Sequence, residues 1–201
     1  MDESAPNSVP NALERVALFV RRPAAILTMG IWAAAEAVVL PIVPDVGLCL
    51  LVLAAPRRAV LLFAAVVIGA IVGTLVLAAL AQQAPDAARA LLLSIPAIDP
   101  GLLASADQTL ARDGVAGFAQ LGPGAPLKVY TVEWLAQGGD IAGLLVGTVL
   151  NRITRIGPAL IVAAVIGQLA GRWLRRHSRL TLAAYAAFWI LVYVAYFTGS
   201  V

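Results

Sequence analysis

The chain has 201 residues, of which 61% are hydrophobic and only 12% are charged, and its formal net charge is +3. A soluble domain is about 45–50% apolar and about 25% charged, so this composition excludes a water-soluble globule and predicts an integral membrane protein. The single cysteine, Cys49, excludes an internal disulfide and a cysteine-rich metal site, and we expect neither a metal nor a cofactor.

Residues 1–22 are predicted to form an amphipathic helix rather than a cleaved signal peptide. They contain acidic residues, and no long apolar run precedes the Arg21-Arg22 pair. We expect the helix to run from about Asn11 to Arg22 along the membrane surface. The side chains expected on its inward face are Leu13, Val16, Ala17 and Val20.

The first apolar region, residues 23–56, is predicted to be a re-entrant hairpin. A helix cannot continue unbroken through its PIVPD stretch, which contains Pro41, Pro44 and Asp45. Pairs of arginines flank the region on both sides, which indicates that both of its ends lie on the cytoplasmic side of the membrane.

The second apolar region, residues 59–81, carries no charge and predicts a plain spanning helix. Gly69 and Gly73 give it a small-residue face for close contact with another helix, either within the chain or between chains. The stretch 82–113 that follows has more acids than bases, which is typical of an outward-facing loop. Prolines divide this loop into two predicted short helices.

The third apolar region, residues 114–139, repeats the pattern of the first. Its two apolar halves are separated by a break that contains Pro123, Gly124 and Pro126. Both halves are too short to cross as helices, so we predict a second re-entrant hairpin that enters from the opposite side. A hairpin followed by a span, twice and from opposite faces, indicates an inverted repeat with the binding site at the broken segments.

The fourth apolar region, residues 141–171, is longer than one crossing requires and contains Arg152 and Arg155. At about 1.5 Å per residue from Asp140, Arg152 falls about 18 Å along the helix, near the middle of a bilayer. The sequence therefore predicts two arginines inside the membrane.

The predicted fold is an all-α membrane protein, with transmembrane helices and two oppositely oriented re-entrant helical hairpins. Residues 23–179 form its main transmembrane domain, and residues 180–201 form a C-terminal transmembrane helix. The basic run from Arg172 to Arg179 is interpreted as a positive-inside topology signal. His177 lies within this run and is not expected to be catalytic.

Six ionisable side chains fall inside the apolar segments. Each costs about 2.5–3.5 kcal/mol to insert and is therefore expected to be either paired or functional. Three acids and three bases permit a neutral, paired set around a central cavity. These residues are Glu36, Asp45, Glu133, Lys128, Arg152 and Arg155.

Two interpretations stay open for three of these residues. Glu36 is either the partner of an arginine or a protonatable carboxyl that couples proton movement to substrate movement. Asp45 either caps the second half-helix of the hairpin or shares that coupling role. Lys128, the only lysine in the chain, either binds a phosphate at a half-helix start or pairs with Glu36, Asp45 or Glu133.

The other three residues are read differently. Arg152 and Arg155 share one helix face, which suits either an anionic headgroup or salt bridges to the buried acids. Glu133 is interpreted as interfacial because it adjoins Trp134, a residue type that favours the headgroup level. An enzyme is not expected, since the only histidine lies in the basic run and the internal serines lie in loop-like stretches.

Short motifs occur in two matching halves of the chain. The first half contains Glu36-Ala37, Pro41, Pro44-Asp45 and the small-residue span with Gly69 and Gly73. The second half contains Pro123, Pro126-Leu127-Lys128-Val129, Gly138 and Arg152-x-x-Arg155. Over about residues 20–175, the order and spacing of these motifs resemble the DedA-like family, also called the VTT or SNARE-associated family, and best its short bacterial branch.

The resemblance implies two opposed re-entrant hairpins and a role in moving lipids between leaflets. The lipids are undecaprenyl phosphate and phosphatidylethanolamine in bacteria, while eukaryotic members are implicated in phospholipid scrambling. It implies that Lys128, Arg152 and Arg155 bind an anionic headgroup, and that Glu36 and Asp45 couple its movement to protons. Many members carry an arginine before the proline of the second hairpin, where this chain reads Ala-Gln-Leu-Gly-Pro. Either the substrate differs, or Lys128 replaces that arginine.

The expected partners are therefore membrane lipids and protons, the expected location is a bacterial cytoplasmic membrane, and a homo-oligomer stays open. Nucleic acid is not expected, because the basic residues fall at span ends and inside the membrane. Two alternative functions remain. One is a proton-coupled secondary transporter of a small solute or ion, and the other is an assembly factor that transports nothing.

Overall fold

The protein is described by a computed structural model that covers residues 10–119 and 125–197. Within that part the chain forms ten α-helices and no strand. Pro123 and Gly124, two of the residues predicted to break the second hairpin, lie outside the described residues. The helices are α1 Ala12–Val20, α2 Pro23–Val38, α3 Asp45–Ala54, α4 Ala59–Gln83, α5 Pro85–Leu93, α6 Pro100–Asp113, α7 Leu127–Ala136, α8 Ile141–Leu169, α9 Gly171–Arg176 and α10 Ser178–Phe197.

Three helical stretches are long and apolar enough to cross a membrane, which suggests a membrane protein. They are Pro56–Gln83, Ile141–Leu169 and Ser178–Ala195. The first includes a 3-10 turn that leads into α4. Helices α1 and α2 pass the same test only as a pair, and they meet at an angle of 85°. The all-helical class expected from the sequence is thus confirmed for the described residues.

Helix α4 lies at the centre of the fold and packs most extensively on α2. The contact is close because Gly69 and Gly73 have no side chains. A Cβ at Gly69 would overlap the backbone of Gly30, and one at Gly73 would overlap the backbone of Ala34. The small-residue face of the second apolar region therefore serves a contact within the chain.

Helices α4 and α8 run in opposite directions and separate the charges of the protein into two ends. Arg58, at the start of α4, and Gly167, near the end of α8, line the same cleft. At the other end, Asp86 follows α4 and Asp140 caps the start of α8. Among the described residues, one end of the two helices is therefore basic and the other acidic.

Helix α1 begins with a capping box. Asn11 accepts a hydrogen bond from the Glu14 backbone N–H at 3.0 Å, and the Glu14 side chain accepts one from the Asn11 N–H at 2.9 Å. Leu13 is buried in a cluster with Ala54 and Leu174. The predicted inward face of this helix therefore packs on the protein itself.

The first apolar region is interrupted between Val38 and Asp45, and Pro41 and Pro44 lie in the gap. The third apolar region is interrupted between a 3-10 turn, Gly114–Phe118, and α7. The approach to this second break is therefore a short 3-10 turn, because α6 extends to Asp113.

Helix α10 packs against α1 and α9 at its start and is otherwise largely exposed. Two tyrosines tie it to the first break. The Tyr185 hydroxyl donates to the Val46 carbonyl at 2.6 Å, and the Tyr193 hydroxyl accepts from the Val43 N–H at 3.0 Å. The C-terminal helix thus closes one side of the interrupted segment.

Candidate functional site

A cavity of about 210 Å³ lies where the two interrupted segments meet. The break between α2 and α3 forms one wall. The other walls are formed by the start of α7, part of α8 and the C-terminal half of α10. The loop between α5 and α6 closes it. Its lining residues are Glu36, Pro41, Val43, Asp45, Ile95, Pro96, Ile98, Pro126, Lys128, Arg155, Trp189, Val192 and Tyr193.

Glu36 forms a buried ion pair with Arg152. The carboxylate lies in the last turn of α2 and the guanidinium near the middle of α8, and each residue is only 3% exposed. Because both charges are removed from water, each depends on the other for stabilisation. The Nε of Arg152 has no hydrogen-bond partner among the described residues. Within the described part of the chain, one N–H donor of Arg152 is thus unsatisfied.

Lys128 joins the two interrupted segments. Its Nζ donates to the Leu40 carbonyl at 2.6 Å, and the residue is 2% exposed. Leu40 follows the end of α2, where backbone carbonyls lack partners within the helix. Among the described residues Lys128 forms no salt bridge. Its ammonium group therefore faces the cavity with its positive charge uncompensated by a direct carboxylate contact.

Asp45 is the first residue of α3, and Pro44 occupies the N-cap position. The Oδ1 of Asp45 is buried without a hydrogen-bond partner in the described part of the chain. Arg155 donates from Nη1 to the Ala125 carbonyl at 3.1 Å, just before the start of α7. Both side chains line the cavity, one from each interrupted half.

The five predicted charged residues around this cavity do not balance. Lys128, Arg152 and Arg155 supply three positive charges, and Glu36 and Asp45 supply two negative ones, which leaves one positive charge when all are ionised. In a medium of low dielectric constant, such an excess is strongly stabilised by an anion. The arrangement therefore suits a ligand with a phosphate or carboxylate group.

Glu133 belongs to a different part of the molecule. It is 1% exposed and accepts a hydrogen bond from Arg89 at 2.7 Å, near the acidic end. The sequence interpretation placed it at the membrane interface beside Trp134, but no signal in the sequence indicated Arg89 as its partner. The two residues are separated by 44 positions.

Several contributors to the site were missed in the sequence. Trp189 and Tyr193 line the cavity from α10, and Tyr185 lies one turn before Trp189 on the same helix face. Their spacing of four residues is the signal that could have indicated a functional face. Asn151 was also missed; it is buried and donates to the Phe118 carbonyl at 3.0 Å, which holds the 3-10 turn before the second break.

Comparison of the chain with protein-family models, with curated proteins and with solved structures finds no match. What the cavity can bind is therefore inferred from the residues that line it.

Proposed function

We propose that the protein is a lipid transporter of the DedA-like type, which moves an anionic or zwitterionic phospholipid, or a polyprenyl phosphate, between the leaflets of a bacterial cytoplasmic membrane. The observation that carries the proposal is the cavity between the two interrupted segments. It brings Glu36, Asp45, Lys128 and Arg155 together, with Arg152 behind Glu36. Transporter sites of this kind lie at broken helices near the bilayer midplane.

The proposed architecture is two re-entrant hairpins in an inverted repeat. Helices α3 and α7 have 10 residues each. At 1.5 Å per residue each is about 15 Å long, half of the roughly 30 Å that a crossing requires. Each short helix follows a break and precedes a long span, and the two spans α4 and α8 are antiparallel. These features support the repeat.

In the proposed mechanism the cavity holds the headgroup while the acyl or prenyl chains stay outside it. Its volume of about 210 Å³ is too small for a whole lipid. Lys128 and Arg155 would contact the phosphate directly. Arg152 would neutralise Glu36, so that this carboxylate does not repel the phosphate. The exposed side of α10, next to Trp189 and Tyr193, is the proposed path for the chains.

Proton coupling follows from the same charges. Protonation of Asp45 or Glu36 raises the net charge of the site from one to two positive charges, so the anion binds more tightly. By linkage, a bound anion favours proton uptake to the same extent. Proton and headgroup would therefore load together and leave together.

The small size of the cavity also favours a second candidate, a proton-coupled transporter of a small anionic solute. Pockets for drug-sized ligands occupy about 300–1,000 Å³, and this cavity is smaller. A small solute that carries a phosphate or carboxylate group, and no acyl or prenyl chain, would fit inside the cavity. Proton-coupled solute flux with no lipid movement would select this alternative. A chain with neither activity would be an assembly factor.

The test is leaflet exchange in liposomes that contain the purified protein and a fluorescent phospholipid or a polyprenyl phosphate, with and without a pH gradient. Lys128→Gln keeps an N–H donor for the Leu40 carbonyl but removes the charge, so exchange should fall about tenfold or more. Glu36→Gln holds the site in its protonated charge state but also leaves Arg152 without its partner, so turnover is compared per folded molecule and should fall to a similar extent.

Glu133→Gln is the matched control, because Glu133 is also buried and ion-paired but does not line the cavity. Its exchange rate should stay near that of the wild type. Equal loss in all three variants would indicate a general folding defect. Wild-type protein that is folded and still fails to exceed empty liposomes for either lipid would overturn the proposal.

A further inference from the structure

A second cleft lies at the basic end of the molecule. It has a volume of about 910 Å³ and is bordered by the ends of α1, α3 and α8, by the 3-10 turn before α4, and by α9. Four arginines line it, namely Arg21, Arg57, Arg58 and Arg175, and no acidic residue from the described part of the chain does. We refer to these four residues and the space between them as the basic cleft.

The arginines of the basic cleft have no acidic partner among the described residues. The salt bridges found there involve Arg89, Arg112 and Arg152 only. Glu14, the acidic residue on α1, is engaged in the capping box of that helix. Four positive charges thus border the same cleft. Such an arrangement is unfavourable unless solvent ions or a bound anion offset it.

The positive-inside rule accounts for arginines at this end but not for their arrangement. Arg172 and Arg176 obey the same rule, and their side chains are exposed and line no cleft. Arg58 and Arg175, in contrast, are half-buried, and both line the basic cleft. The Arg175 guanidinium folds back over Gly171, where a Cβ would lie 3.6 Å from its Nη1. Two of the four arginines are therefore held in the walls of the cleft, while Arg21 and Arg57 are exposed.

The basic cleft is separate from the cavity of the proposed transport site. Gly167 lines the cleft and Arg155 lines the cavity, and the two residues are 12 positions apart along α8. At about 1.5 Å per residue the separation along the helix is about 18 Å. The cleft lies at the ends of the apolar helices, which is the level of lipid headgroups.

We propose that the basic cleft binds a phosphate group, carried by the headgroup of an acidic phospholipid of the same leaflet or by a free phosphate anion. Guanidinium groups recognise phosphate through paired hydrogen bonds, and several arginines between helix ends form a pocket for an anionic headgroup. Its position at the headgroup level favours the lipid as the source. The site does not depend on the transport proposal.

The test is binding to the full-length purified chain in a neutral detergent. The probes are a short-chain phosphatidylglycerol, the matching short-chain phosphatidylcholine, and inorganic phosphate. The wild type should bind the acidic lipid saturably, and Arg58→Gln with Arg175→Gln should weaken this binding about thirtyfold. The paired exchange Arg172→Gln with Arg176→Gln removes the same charge outside the cleft and should change the affinity about threefold or less.

Several outcomes distinguish a lipid headgroup from free phosphate as the ligand. They also distinguish the basic cleft from non-specific binding and from the central cavity. Phosphate that binds with the same variant dependence identifies the anion itself as sufficient, while binding of the acidic lipid alone assigns the headgroup. Arg58→Lys with Arg175→Lys keeps the charge but not the paired hydrogen bonds, so its affinity should fall between that of the wild type and that of the glutamine pair, which guards against misfolding. Lys128→Gln should keep the component of binding that Arg58→Gln with Arg175→Gln removes, which distinguishes this site from the central cavity. Equal losses in both arginine pairs, or equal binding of the zwitterionic lipid, would overturn the proposal.

Discussion

Arg152→Met is expected to destabilise the protein by about 3–5 kcal/mol, because it leaves the Glu36 carboxylate buried without its partner. Methionine fills a similar volume, so the loss reflects the charge rather than a cavity. The free energy of unfolding in mixed micelles measures the effect. Arg155→Met, one turn further along α8, removes only a hydrogen bond to the Ala125 carbonyl and should cost about 1.5–3 kcal/mol.

The double variant tests whether the pair itself carries this effect. Glu36→Gln with Arg152→Met leaves no buried charge from the pair, so it should recover most of the stability lost by Arg152→Met alone. Simple addition of the two single effects would show that Glu36 and Arg152 do not depend on each other. Transport should stay low in the double variant, because the net charge of the site returns to one positive charge but the protonatable Glu36 carboxyl is still missing.

The helices could be predicted from the sequence with good accuracy, because the apolar runs and the prolines act locally. The span over 59–81 and the interruption by Pro41 and Pro44 both follow from the residues within a few turns. The short 3-10 approach to the second break could not be predicted, because α6 continues through a polar stretch until Asp113. Its extent depends on packing against later helices.

Which ionisable residues belong to the site could also be predicted, since a charged residue is easily recognised in an apolar run. Their partners could not. Glu36 pairs with Arg152, 116 positions away, and Lys128 donates to the Leu40 carbonyl, 88 positions away. These choices are set by how the interrupted segments cross in space. A pattern within one segment carries no information about them, and for the same reason the contribution of Trp189 was missed.

The second large effect is expected at the contact between α2 and α4. Gly69→Ala and Gly73→Ala should each destabilise the protein by about 3 kcal/mol or more, because the added methyl group meets backbone atoms that cannot rotate away. A Cβ at Gly69 would come within 2.7 Å of the Gly30 carbonyl carbon, and one at Gly73 within 2.8 Å of the Ala37 Cβ. The unfolding midpoint and the free energy of unfolding in mixed micelles measure the loss.

Gly157→Ala is the control, because nothing lies within 4 Å of a Cβ there. It is expected to change stability by about 1 kcal/mol or less, in the stabilising direction that alanine has in helices. Equal losses at Gly69 and Gly157 would contradict close packing. The strain at Gly73 should also reach the site, since Ala37 adjoins Glu36 and a shift of α2 draws Glu36 away from Arg152. Gly73→Ala should therefore lower transport more than its stability loss alone explains, whereas Gly157→Ala should not.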